Sequence, residues 1–76
     1  MIKDRVTSIL QEMFGEVNDK SELLDSGIID SFGMLDLIDK LESEFGILVD
    51  AEDIIPENFL DIRAITELVL KYENER

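Results

Sequence analysis

Apolar side chains recur at helical spacing in three stretches of the chain. In the first stretch, one face is formed by Val6, Ile9, Leu10, Met13 and Phe14. Intervals of three and four residues place these side chains on one side of an α-helix, so the pattern predicts an amphipathic helix over residues 3–14. Gly15 follows directly, and glycine is a common residue at the end of a helix.

The second stretch predicts a helix from about Ser31 to Phe45, with Gly46 as its end. At about 100° per residue, one face of this helix is apolar and belongs to the predicted core: Met34, Leu37, Ile38, Leu41 and Phe45. The opposite side is polar and carries Asp36, Asp39, Glu42 and Ser43. Phe32 also points away from the core face, so we expect an exposed aromatic ring next to Ser31.

The third stretch predicts a C-terminal helix that begins after Asp61, a favoured N-cap residue type. Its buried face consists of Ile62, Ile65, Leu68, Val69 and Tyr72. Pro56 is tolerated in a first helical turn, which predicts a short helix at about residues 56–60. Three main helices and one short helix predict an all-α fold, a small four-helix bundle.

Two connections are apolar enough to pack on this bundle. Residues 15–29 form a long segment in which the apolar residues are Leu23, Leu24, Ile28 and Ile29. Long connections in compact domains are usually functional or anchored, so we expect these side chains to reach the core. The run Ile47-Leu48-Val49 is too short for a sheet without a partner strand, and we interpret it as a buried connection.

The length of the chain allows one core. Its 76 residues are 45% hydrophobic, which predicts a single folded domain over residues 1–76. No apolar run approaches the roughly 20 residues of a membrane span, and the N-terminus lacks the apolar stretch of a signal peptide. We therefore expect a cytoplasmic protein with no membrane span, acting as a monomer.

The negative charge is concentrated in the middle of the chain. The formal net charge is −12, and residues 21–62 hold twelve acidic residues against the single base Lys40. Nucleic acid is a poor partner for such a surface because both are anionic. A partner protein with a basic docking surface is the better match.

Several catalytic chemistries are excluded by composition. The chain has neither cysteine nor histidine, so Ser-His-Asp and Cys-His catalysis have no residues to use. The acidic runs at residues 25–27 and 50–53 lack the alternate acids, central glycine and closing glutamate of a calcium loop. We therefore predict no catalytic residues, no metal site and no enzymatic activity.

Asp30-Ser31 stands where the long connection becomes the second helix. Both residue types are favoured N-caps, so the pair by itself indicates only a helix start. The N–H groups of a first helical turn lack intrahelical partners, and the helix dipole is positive there. A phosphate ester on Ser31 would therefore lie at a favourable position for an anion.

Nearly the whole chain resembles the acyl carrier proteins. Three segments in order carry the resemblance: Gly27-Ile28-Ile29-Asp30-Ser31-Phe32, Leu41-Glu42-Ser43-Glu44-Phe45-Gly46-Ile47 and Asn58-Phe59-Leu60-Asp61-Ile62-Arg63-Ala64-Ile65. The resemblance implies a covalent 4′-phosphopantetheine on Ser31, transferred from coenzyme A by a holo-synthase, with Asp30 as the motif neighbour. It also implies a second helix that docks basic partner surfaces through Phe32, Leu35, Asp36, Asp39 and Glu42.

The cargo stays open between alternatives. The family motif usually has leucine where this chain has Phe32, and Gly33 is unusual because glycine near a helix start costs up to about 1 kcal/mol relative to alanine. The Asp30-Ser31-Phe32-Gly33 string is similar to D-alanyl carrier proteins. The default expectation is an acyl thioester carrier for fatty acid, polyketide or specialised lipid synthesis. The alternatives are a D-alanyl or aminoacyl carrier, or an acidic adaptor that binds partners noncovalently.

Overall fold

Three α-helices form the body of the protein. The structure is a computed structural model that describes residues 1–75, in which α1 spans Ile2–Phe14, α2 spans Ser31–Phe45 and α3 spans Ile62–Asn74. Two short 3₁₀ helices, Ala51–Asp53 and Pro56–Phe59, lie between α2 and α3. The all-α prediction is confirmed, and no strand occurs among residues 1–75.

The bounds predicted for the helices agree with the observed ones to within one residue, and only the type of the short helix differs. The short helix expected at about residues 56–60 is present as the 3₁₀ helix Pro56–Phe59, and the 3₁₀ helix Ala51–Asp53 was not predicted. The predicted single domain extends to Arg76, which lies outside the described residues. None of the helices in the described part of the chain is long and apolar enough to cross a membrane.

Local hydrogen bonds explain where the helices begin and end. The Ala64 N–H donates to Oδ1 of Asp61 over 2.8 Å, so Asp61 caps α3 as the sequence predicts. Helix α2 ends at Gly46, whose φ of 63° lies in the left-handed region that favours glycine.

The core is built from all three α-helices and both long connections. The fully buried large side chains include Phe59 of the second 3₁₀ helix and Leu23 of the connection before α2. Ile29, at the end of that connection, is only 3% exposed, which confirms that the segment packs on the bundle. The helices contribute Val6, Leu10, Leu37, Leu41, Ile62, Ile65 and Val69, all of them fully buried.

The segment after α2 corrects the sequence prediction. Ile47 is buried, but Leu48 is 83% exposed, so the prediction that the run forms a buried connection is wrong for Leu48. The reason is a tertiary contact: Oε2 of Glu42 accepts a hydrogen bond from the Val49 N–H over 2.9 Å. This bond holds the backbone against α2 in an arrangement in which Ile47 reaches the core and Leu48 faces outward.

Candidate functional site

Ser31 is the first residue of α2, but Asp30 is the residue that caps the helix. Oδ1 of Asp30 accepts a hydrogen bond from the Gly33 N–H over 2.7 Å, and its backbone carbonyl accepts from the Met34 N–H over 2.8 Å. The Ser31 side chain is exposed and forms no hydrogen bond with any of residues 1–75. The cap therefore does not need the Ser31 hydroxyl. Helix capping alone does not explain a serine at this position.

The surroundings of this hydroxyl are suited to an anionic ester. The N–H groups of Ser31 and Phe32 precede the first intrahelical hydrogen bond of α2, which starts from Asp30. The positive end of the helix dipole lies at the same place. A phosphodiester at Ser31 Oγ would lie beside unpaired donors and in open solvent, so the residues present fit such a group.

The chain leading to Ser31 is tied to the rest of the fold. The Ile29 N–H donates to the Leu23 carbonyl over 3.0 Å, and the Leu23 N–H donates to the Leu60 carbonyl over 2.8 Å. Gly27, with a φ of 80°, makes the turn between these contacts. Because Ile29 is buried two residues before Ser31, the serine is exposed at a fixed position rather than on a loose loop.

One exposed face of α2 continues from the start of the helix. Phe32, Leu35, Asp36 and Asp39 are spaced at intervals of three and four residues and so share this face. Phe32 is 79% exposed and Leu35 is 64% exposed, which is unusual for apolar side chains of this size. Asp36 and Asp39 are exposed and form no ion pair with any of the described residues. We call these four residues the α2 face.

Glu42 differs from the other predicted docking residues. Its side chain is half-buried, and its Oε2 holds the Val49 N–H, so it stabilises the segment that follows α2. The sequence pattern grouped Glu42 with Asp36 and Asp39 because helical periodicity cannot show a bond to a residue outside the helix.

The Ser31 hydroxyl has no hydrogen-bond acceptor among the described side chains. Within residues 1–75, no group of three or more acidic side chains is arranged to hold a metal ion.

Sequence reasoning missed one residue that reaches this site. The ring of Phe14, the last residue of α1, lies against Gly33 in the first turn of α2. The signal was present, since a glycine inside a helix without a turn to make often marks a close approach.

Comparison with known proteins agrees with this geometry. The family described as "Phosphopantetheine attachment site" matches residues 4–72. Aminoacyl carrier protein 2 of Bradyrhizobium diazoefficiens is 36% identical over 67 residues, which cover 86% of this chain and 74% of that protein. The D-alanyl carrier protein of Streptococcus sanguinis is 34% identical over 76 residues, covering 96% of both chains. That of Streptococcus suis is 39% identical over 57 residues, covering 68% of this chain and 70% of its own.

Proposed function

The chain belongs to the phosphopantetheine carrier proteins, and on that premise we propose that it carries an aminoacyl group on an arm attached to Ser31. 4′-Phosphopantetheine is the covalent cofactor of the protein. When bound, the arm supplies a terminal thiol that holds cargo as a thioester, which a chain without cysteine cannot do by itself. The observation that carries the assignment to Ser31 is its exposed, unpartnered hydroxyl beside the Asp30 cap.

Ser31 and its neighbours have different roles in holding the arm. Ser31 Oγ is the atom that forms the phosphodiester. Asp30 holds the first turn of α2 through the Gly33 N–H, so the hydroxyl keeps one position relative to the helix. The N–H groups of Ser31 and Phe32 belong to the same first turn of α2 and would stabilise the negative charge of the ester.

The names of the relatives favour an aminoacyl cargo over a fatty acyl one. The aligned proteins with high coverage are described as aminoacyl and D-alanyl carriers. Carriage of an acyl group in fatty acid, polyketide or specialised lipid synthesis is the second cargo class, and the cargo measurement below separates the two.

The protein acts as a carrier and performs no catalysis. A holo-synthase attaches the arm from coenzyme A, and loading and transfer enzymes then meet the α2 face with basic surfaces around an apolar patch. Covalent attachment raises the effective concentration of the cargo at each enzyme in turn. We place these reactions in the cytoplasm, where coenzyme A is supplied.

Attachment is tested by mapping the arm. The apo protein is incubated with coenzyme A, Mg²⁺ and a holo-synthase of broad specificity, and peptide mass spectrometry then locates the adduct. We expect one adduct on Ser31, none in Ser31→Ala and wild-type loading in the matched control Ser43→Ala, another exposed α2 serine. An adduct elsewhere, or none with several synthases, contradicts the attachment and favours the noncovalent adaptor.

The cargo is tested on protein purified from its native host. Intact mass gives the mass added to the arm, and hydroxylamine releases a thioester-bound group for identification. An amino acid hydroxamate supports the proposal, whereas a fatty acyl or polyketide hydroxamate overturns the aminoacyl assignment and leaves the carrier assignment in place.

A further inference from the structure

The end of α1 and the start of α2 meet at a close contact between the Phe14 ring and Gly33. A Cβ atom at position 33 would lie 3.0 Å from Cε1 and 3.5 Å from Cζ of the Phe14 ring. It would also lie 3.2 Å from Oδ1 of Asp30, the atom that caps α2. Because carbon atoms pack best at about 3.5–4.0 Å, a Cβ at this position would push the Phe14 ring back by a few tenths of an ångström.

Backbone conformation does not explain this glycine. The glycines with positive φ are Gly15, Gly27 and Gly46, whereas Gly33 has the ordinary helical conformation that any residue adopts. Glycine weakens a helix relative to alanine because it has more backbone freedom to lose. The close approach of the Phe14 ring is the structural feature that distinguishes this position.

Packing contacts lie on both sides of Ser31, the proposed attachment residue. Helices α1 and α2 are separated by residues 15–30, so chain continuity does not set where α2 begins relative to α1. Packing sets it instead: Ile29 is buried two residues before Ser31, and the Phe14 ring meets Gly33 two residues after it. Both contacts act on the first turn of α2, and the Asp30 cap lies between them.

We infer that Phe14 is a positioning residue for attachment of the arm, acting through Gly33 to hold Ser31 where a holo-synthase can reach its hydroxyl. The inference rests on the proposed role of Ser31. Phe14 touches neither the hydroxyl nor the arm, so its effect is on geometry. Small displacements of a reacting group slow transfer because the bound enzyme is built for one geometry.

A double-mutant cycle tests the contact. Gly33→Ala adds the Cβ, and Phe14→Leu removes the ring atoms that the Cβ would meet while keeping an apolar side chain at the core. Displacement by a few tenths of an ångström in Gly33→Ala should lower kcat for loading by roughly two- to fivefold, with the KM for coenzyme A unchanged. In the Phe14→Leu background the same substitution should have a smaller effect, because the ring atoms are absent and only the 3.2 Å approach to Oδ1 of Asp30 remains.

Amide hydrogen exchange at residue 33 supplies a second readout that does not depend on loading. Gly33→Ala should speed exchange of this amide, because displacement of the first turn weakens its bond to Oδ1 of Asp30, and Phe14→Leu should reduce the difference. Met13→Leu is the matched control, since Met13 packs on the core from the neighbouring position of α1 without being among the close neighbours of Gly33. It should load at the wild-type rate.

These experiments distinguish failure of the positioning role of Phe14 from failure of the proposed function. Equal kcat and equal exchange in wild type and Gly33→Ala would overturn the positioning role, as would an equal loss of kcat in both Phe14 backgrounds. If wild-type protein takes no arm on Ser31, the proposed function fails and the positioning role fails with it. Melting curves of all variants verify that differences in loading come from folded protein.

Discussion

The phenol of Tyr72 donates a hydrogen bond to Oδ2 of Asp53 over 2.5 Å and so ties α3 to the first 3₁₀ helix. The same phenolic oxygen accepts a hydrogen bond from the Asp50 N–H over 2.9 Å. Lys71 Nζ lies 3.0 Å from Oδ2 of Asp53 and completes the cluster. Together with the Glu42–Val49 bond, this cluster anchors residues 49–53, in the first half of the segment between α2 and α3.

Removing the Tyr72 hydroxyl should weaken this anchor without changing the apolar contact of the ring. Tyr72→Phe loses the hydrogen bonds to Asp53 and to the Asp50 N–H, and we expect the free energy of unfolding to fall by about 1 kcal/mol, within the usual net range for hydrogen bonds. Urea denaturation followed by circular dichroism measures the change. Stability equal to wild type would show that water replaces both bonds.

The same variant gives a pH test with a defined sign. The hydrogen bonds from Tyr72 and then Lys71 lower the pKa of Asp53, so its contribution is present above the ordinary value of 3.8 and is lost as the pH falls below it. Burial and then the bond to Asp53 raise the pKa of Tyr72, so that contribution is present below 10.0 and is lost as the pH rises above it.

The stability difference between wild type and Tyr72→Phe should therefore be greatest between about pH 5 and pH 9 and decline on both sides. Taking the difference cancels the general effect of acid on the net charge, because both proteins share it. A difference that stays constant from pH 3 to pH 11 would contradict the assignment of these two groups to the cluster.

The concentration of negative charge should make stability depend on salt. Residues 21–62 carry almost all of the net charge of −12, and Asp36 and Asp39 have no cationic partner among residues 1–75. Screening of like charges should raise the melting temperature between about 10 and 200 mM NaCl. Asp36→Asn with Asp39→Asn should reduce this salt dependence, and a melting temperature independent of salt in wild type would contradict the argument.

Docking through the α2 face is tested by reversing two charges. Asp36→Lys with Asp39→Lys should raise the apparent KM of a cognate loading enzyme for the carrier by roughly three- to tenfold, since each exposed ion pair contributes only about 0–1 kcal/mol. The fold should be retained because both carboxylates are exposed and neither forms a hydrogen bond or an ion pair with any of residues 1–75.

Asp4→Lys with Glu12→Lys is the matched control for that variant. Asp4 and Glu12 are exposed acids of α1, and reversing them changes the net charge by the same amount. If the control raises KM equally, bulk charge rather than the α2 face governs docking.

Glu42 should behave as a structural residue in the same experiments. Glu42→Ala leaves the Val49 N–H without its acceptor and should lower the free energy of unfolding by about 1 kcal/mol. Glu42→Gln keeps a carbonyl oxygen at that position and should retain most of the stability while removing the charge. Loading kinetics of Glu42→Gln then report the contribution of this charge to docking, and equal stability of the two variants would show that the bond is dispensable.

Local sequence by itself determined the helices and their ends. Apolar positions at helical spacing, the caps at Asp30 and Asp61 and the glycine after α2 act within one or two helical turns. Their effect is therefore readable without knowledge of the rest of the chain. The same holds for the exposure of Phe32 and Leu35, which follows from the helical face on which they lie.

Only the tertiary structure decided the contacts between segments that are distant along the chain. Ile47 is buried while Leu48 is exposed because Glu42 holds the Val49 backbone, and Gly33 lies against the ring of Phe14 from another helix. These contacts depend on how the helices pack, and periodicity contains no information about the distance between two faces. At Ser31 local sequence and tertiary packing act together, since the sequence places the hydroxyl at a helix start and packing holds that start in place.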